Sequence, residues 1–211
     1  MDAVKDKHKD NENGDDKYET RRELHLSDIS GTDKGSLQQR QVVETFLEIC
    51  GLITDENGHF KERRRRKDDP LSHVLLVPGL AGTGKSFVID ILYTELKERW
   101  MKKFNNDDQP SLLVCAPTGK AALAIGGYTI QSADGLKVPT ENLNDHAKNE
   151  MKGPSLLAFQ MRIRKTIAII LDEYSMISSV QLYWINKRLQ VAMGNNLSFG
   201  GIPIIIFGDP G

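Results

Sequence analysis

The sequence predicts an α/β fold with a mainly parallel sheet flanked by helices. Three observations carry this. Four short apolar runs, His73–Val77, Ser111–Ala116, Thr166–Leu171 and Ile202–Phe207, are continuous rather than alternating, as strands buried on both faces are. Stretches with helical apolar spacing separate them. A glycine-rich segment, "GLAGTGKS", joins the first run to the first of those helices.

The elements follow in order. Residues 1–35 are densely charged and nearly devoid of aromatics, so they bury too little surface to offset ordering entropy. They are expected to form a disordered tail, leaving 36–211 as the folded domain. Ser36 with Gln39 has capping-box spacing. Val42, Val43, Phe46, Ile49 and Cys50 recur at helical spacing, and Gly51 suits the stop. A polar connection follows, with the basic run Arg63–Lys67. That run fits a nuclear-import signal, a phosphate-contacting loop or a solvated insertion. After the first strand, residues 86–104 read as a helix with Val88, Ile89, Leu92, Leu96 and Trp100 on one side. The second strand leads into a short glycine-closed helix in "GKAALAIGG". Residues 130 to about 160 read as irregular. The third strand precedes a helix with Leu182, Ile185 and Leu189 inward and Gly194 as its stop, and the fourth strand ends at Phe207.

Composition narrows the classes. A formal net charge of -1 says nothing for or against nucleic acid, because a local basic face is averaged away. The two cysteines, Cys50 and Cys115, lack the partners of a metal site and read as small core residues in a reducing compartment. The N-terminus has no apolar segment of a secretory signal, and its acids argue against a mitochondrial transit peptide. No apolar run approaches the roughly 18 residues of a membrane span. A soluble intracellular protein is expected, nuclear rather than mitochondrial.

The segment "GLAGTGKS" fits G-x-x-x-x-G-K-[ST] at Gly79, Gly84, Lys85 and Ser86. It follows a strand and opens a helix, as phosphate binding requires. Glycines let backbone N–H groups converge on phosphate oxygens, and the helix N-terminus adds its dipole. Gly82, Thr83 and Gly84 complete the cradle. Lys85 has the reach for β- and γ-phosphates, and the Ser86 hydroxyl suits Mg²⁺. At the tip of the third strand, "IAIILDEYS" sets Asp172 beside Glu173. Adjacent carboxylates there are costly unless a cation or a reaction uses them. Behind a phosphate loop, Asp172 suits Mg²⁺ and Glu173 suits polarisation of an attacking water, which points to ATP hydrolysis.

With "LLVCAPTGKAALAIGGYTIQS" and "FGGIPIIIFGD" in the same order, the chain resembles superfamily-one DNA helicases of the petite-integration-frequency type, including the helicase parts of rolling-circle transposons. RecD-type helicases share the "APTGKAA" block. The resemblance covers about Ser36 to the last residue. It implies a RecA-like phosphate-loop motor domain with ATP and Mg²⁺ as cofactors and single-stranded or forked DNA as partner. It also implies 5′-to-3′ movement. Within "LQQRQ", Gln41 would contact adenine. Pro117, Thr118 and Gly119 would meet a DNA phosphate, and Thr129 and Ser132 would form the next strand contact. The chain departs from the family at Gln131, where histidine is usual, and at Ala133, where an aromatic is frequent. The loss of that aromatic removes a stacking surface worth roughly 1–3 kcal/mol per base. Asp209 resembles the start of a γ-phosphate sensor whose glutamine would come later. The expectation is the first motor domain of an ATP-dependent DNA helicase, without the second RecA-like domain and its arginines. The alternative is a nucleotide-binding module with little or no helicase activity.

Overall fold

A computed structural model describes residues 21–62, 69–105, 110–133, 136 and 150–210. The basic run Arg63–Lys67 and residues 1–20 lie outside these. Among the described residues, five strands form one parallel sheet: β1 (Val74–Pro78), β2 (Ser111–Ala116), β3 (Tyr128–Thr129), β4 (Thr166–Leu171) and β5 (Ile204–Gly208). Their spatial order is β1-β5-β4-β2-β3. The α-helices of the described residues are α1 (Lys34–Ile49), α2 (Lys85–Phe104), α3 (Gly119–Ala124), α4 (Gly153–Ile163) and α5 (Ser179–Met193).

Successive strand residues point to opposite faces, so a continuous apolar run feeds two cores at once. Val114, Ala116, Ile170, Ile205 and Phe207 pack with α1, α2 and α3. Leu113, Cys115, Ile169, Leu171, Ile204 and Ile206 pack with α4 and α5. This explains why all five residues of β5 are buried. Burial pushes the Cys115 thiol up to about 12, which leaves it protonated and inert at ordinary pH.

Helix ends obey the expected chemistry, with one shift. Gly51 (φ 69°) and Gly194 (φ 65°) close α1 and α5 in the left-handed region. Ser178 and Gln181 form a reciprocal capping box on α5. The cap of α1, however, is Asp33 rather than Ser36. Its carboxylate accepts from the amides of Gly35 (2.9 Å) and Ser36 (3.1 Å) and from the Ser36 hydroxyl (2.7 Å). The helix therefore begins before the expected boundary at residue 35.

Two further expectations need correction. Residues 21–33 do not behave as a solvated tail. Leu26–Asp28 form a 3₁₀ turn, Ile29 is buried in the α1–α2 core, and its carbonyl accepts from Arg40 at 2.5 Å. Three apolar residues in this stretch, Leu24, Leu26 and Ile29, are enough to dock it once α2 supplies a surface. In addition, the stretch expected to be irregular up to about residue 160 contains most of α4. Pro154 suits its first turn, and Phe159 and Ile163, four apart, face the second core. Among the described residues, no helix is long and apolar enough to cross a membrane.

Two outcomes follow from this packing. Ile29→Ala lowers unfolding free energy by about 2–5 kcal/mol in urea titration, where a disordered tail would give no change. At pH 8, Cys115 resists a thiol reagent until denaturant is added, whereas the half-buried Cys50 reacts in the native chain.

Candidate nucleotide site

The carboxyl ends of β1, β4 and β5 meet at one edge of the sheet, the place where open parallel sheets put ligand sites. The loop after β1 is tied to the tip of β5 by the Gly79 amide, which donates to the Gly208 carbonyl at 2.9 Å. Gly208 also lies against the turn after β4. A Cβ there would stand 2.6 Å from the Tyr174 amide nitrogen, so only glycine lets these segments approach.

The loop Gly79–Ser86 runs into the first turn of α2. Gly82 and Gly84 take φ of 83° and 81°. The Thr83 hydroxyl donates to the Leu80 carbonyl at 2.9 Å. The Lys85 ammonium donates to the carbonyls of Gly79 (2.7 Å) and Leu80 (3.0 Å), so its positive head sits inside the loop's own curve. Ser86 is exposed at the start of α2.

Opposite the loop, Asp172 is 5% exposed, and its Oδ1 has no hydrogen-bond partner. Burial raises its pKa above the usual carboxylate range, with the neighbouring Glu173 charge adding to the rise and Lys85 opposing it. Glu173 has φ 55°, a left-handed conformation unusual for a residue with a side chain, and opens the 3₁₀ turn Tyr174–Met176. The two groups that Asp172 and Ser86 offer are oxygen only, one carboxylate and one hydroxyl. That chemistry suits a hard cation such as Mg²⁺.

A cleft of about 630 Å³ extends from the loop between α1 and β1. Gln41 is exposed on its wall, together with Val42, Leu75, Val77 and Phe207. Sequence reasoning missed its neighbour Gln39, whose Nε2 donates to the Thr83 carbonyl at 3.0 Å. The signal was within reach, because both glutamines stand in "LQQRQ", but helical spacing alone does not say which one meets the loop.

The residues expected to meet DNA sit elsewhere on the same edge. Thr118 caps α3, its hydroxyl accepting from the Ala121 amide at 3.2 Å, with Pro117 half-buried before it and Gly119 exposed after it. Thr129 and Ser132 bond to each other, hydroxyl to hydroxyl, at 2.8 Å. Gln131, between them, has a buried Nε2 without a partner.

The sequence model of the PIF1-like helicases matches residues 52–211. The chain belongs to the PIF1-like helicase family. It is 34% identical over 138 residues to the ATP-dependent DNA helicase PIF1 of Candida albicans, a match covering 64% of this chain and 14% of that protein. It is 30% identical over 131 residues to the ATP-dependent DNA helicase RRM3 of Saccharomyces cerevisiae, covering 62% and 17%. The crystal structure of Pif1 helicase from Candida albicans superposes with a TM-score of 0.50 at 31% identity, covering 66% of this chain and 30% of that one. The fold is therefore that of a RecA-like helicase domain. This PIF1-like chain spans about a sixth or less of the length of these two curated relatives.

The buried Asp172 carboxylate yields a signed expectation. Below the pKa of the unfolded chain the carboxyl is protonated in both states and costs nothing. As pH rises through the raised native value, the buried charge costs stability. At neutral pH, Asp172→Asn therefore unfolds at higher denaturant than the wild type, by about 1–3 kcal/mol, and the gain shrinks on acidification.

Proposed function

We propose that this chain carries the first RecA-like motor domain of an ATP-dependent DNA helicase. The observation that carries the reading is the meeting of three groups at one sheet edge. These are the glycine loop around Lys85, the buried Asp172 with an unpartnered oxygen, and Glu173 beside it. A structural turn would not need this combination.

In this reading the amides of Gly79, Gly82, Thr83 and Gly84 cradle the phosphates of ATP. Lys85 exchanges its bonds to the Gly79 and Leu80 carbonyls for phosphate oxygens. Ser86 and Asp172 would hold Mg²⁺, which supplies charge neutralisation at the phosphates when bound. Glu173 orients and polarises the attacking water. Gln41 lies on the wall of the adjoining cleft, where a base would enter, and Gln39 steadies the loop through the Thr83 carbonyl. Pro117, Thr118, Gly119, Thr129 and Ser132 contact the backbone of single-stranded or forked DNA. Such contacts make binding salt-dependent and largely neutral to sequence. Movement in the 5′-to-3′ sense rests on the family resemblance, and work in the nucleus on the basic run Arg63–Lys67 read as an import signal.

One observation favours a second reading, a nucleotide-binding module of low turnover. Among the described residues lining the cleft, the cation is Lys85, with no arginine beside it. An arginine finger raises nucleotide hydrolysis by about 10³–10⁵. A second RecA-like domain would be the source of that charge.

Titration with a fluorescent ATP analogue, followed by an ATPase assay with and without oligothymidine, tests the proposal. Lys85→Ala should weaken nucleotide binding by about tenfold or more. Glu173→Gln should keep binding while lowering turnover by about 10²–10⁴. Stimulation by DNA in the wild type supports the motor reading. Binding without stimulated turnover supports the second reading, and nucleotide affinity unchanged by Lys85→Ala overturns both.

A further inference from the structure

The segment from Arg21 to Ile29 takes no part in the nucleotide site, yet it touches two elements that a motor has to coordinate. The Arg21 guanidinium stacks 4.0 Å above the Tyr93 ring of α2, the helix that begins with the phosphate loop. Its Nη2 donates to the carbonyls of Ile125 and Gly126, the latter at 2.9 Å. Those two carbonyls form the turn between α3 and β3. On its other side the same turn is pinned by β2, since a Cβ at Gly127 would lie 2.5 Å from the Val114 carbonyl oxygen. The rest of the segment is anchored independently. The Leu26 amide donates to Glu95 Oε1 at 2.8 Å, and Glu95 in turn holds Arg99 at 2.6 Å. Ile29 is 2% exposed.

A side chain that only filled space here would be apolar. Arg21 instead places a charged group where its Nη1 is buried without a partner, an arrangement that costs stability. What the arginine supplies, and a methionine would not, is a pair of directional bonds to the turn. That turn separates Thr118–Gly119 from Thr129–Ser132. The cavity beside it, about 280 Å³, is lined by Arg21, Asp90 and Ser86, so the arginine borders the same space as the first turn of α2.

We infer that Arg21–Ile29 is a strap and that Arg21 is a positioning residue, coupling the phosphate-loop helix to the turn between the two strand-contacting blocks. The inference rests on the assignment of those blocks under Proposed function. It concerns how nucleotide occupancy alters the grip on DNA, not the chemistry of hydrolysis.

The test uses the 211-residue chain with Arg21→Met and Arg21→Lys. Three quantities are read: affinity for a fluorescent nucleotide, affinity for labelled oligothymidine with and without a non-hydrolysable ATP analogue, and amide hydrogen exchange. In the wild type the analogue shifts oligothymidine affinity. Arg21→Met should abolish that shift and weaken oligothymidine binding by about tenfold, with nucleotide affinity held within about twofold. Exchange should quicken from Ala122 to Ile130 and stay unchanged in α5. Arg21→Lys should recover part of the shift, since an ammonium can still reach one carbonyl. The strap is overturned if Arg21→Met keeps the wild-type affinity and response. It is equally overturned if both affinities fall together while exchange rises throughout, which marks a structural role only. A wild type that binds nucleotide but no oligothymidine overturns the motor reading and the strap with it.

Discussion

The site depends on how closely three strand ends can approach. In a parallel sheet every strand delivers its carboxyl end to the same edge, but the segments that follow diverge unless something holds them. Here the Gly79 amide bonds to the Gly208 carbonyl, and Gly208 leaves room for the Tyr174 backbone. The register continues this pairing down the strands, with Val77 opposite Phe207 and Leu171 opposite Ile206. A side chain at residue 208 would push the Asp172–Glu173 turn away from the phosphate loop. The distance between cradle and carboxylates is therefore set by an absent Cβ, on a strand that touches neither phosphate nor metal in the proposed chemistry.

The same edge concentrates unfavourable local choices. Asp172 is buried with an unpartnered oxygen, Glu173 is held at positive φ, and the Lys85 ammonium satisfies itself on carbonyls of its own loop. The first two are costly on their own, and such groups cluster at functional sites. The strands beneath offset the cost. β4 and β5 are mostly isoleucine and leucine, buried on both faces, and the outer strands clamp them from either side. Stability is placed in the strand bodies so that the strand tips can be arranged for function.

How much of this was legible follows from the range of the interactions involved. The strand runs, α2, α5 and the glycine loop are local patterns, and the expected bounds of the strands and of α2 lie within two residues of the observed ones. The Asp33 cap was passed over because Ser36 with Gln39 made an equally good local signal. The short strand β3 is two residues long and owes its existence to pairing with Cys115 and Ala116, which no local pattern announces. Helix α4 was hidden in a polar neighbourhood, with only Phe159 and Ile163 fully committed to the core. The segment Arg21–Ile29 failed for a different reason. Its mean composition is that of a disordered chain, and it docks through one arginine, one backbone amide and the apolar side chains of Leu24, Leu26 and Ile29, which find partners far away in sequence.

The two cores give the turn at Gly126–Gly127 its leverage. Ala122 and Ile125, which follow Thr118, belong to the core shared with α1 and α2. Ile130 and Ala133, which flank Ser132, belong to the core of α4 and α5 on the opposite face. The chain therefore changes faces between the two blocks, and only the backbone from Gly126 to Thr129 spans the change. Fixing that backbone fixes the spacing of hydroxyls that no shared core holds in common. β2 grips it from one side, through Val114, as part of the rigid sheet. Arg21 grips it from the other, from a segment laid along α2. A displacement of α2 at its phosphate-loop end would thus bear on this turn through Arg21 while β2 stays in register. The proposed asymmetry needs one rigid support and one support attached to the element that responds to nucleotide.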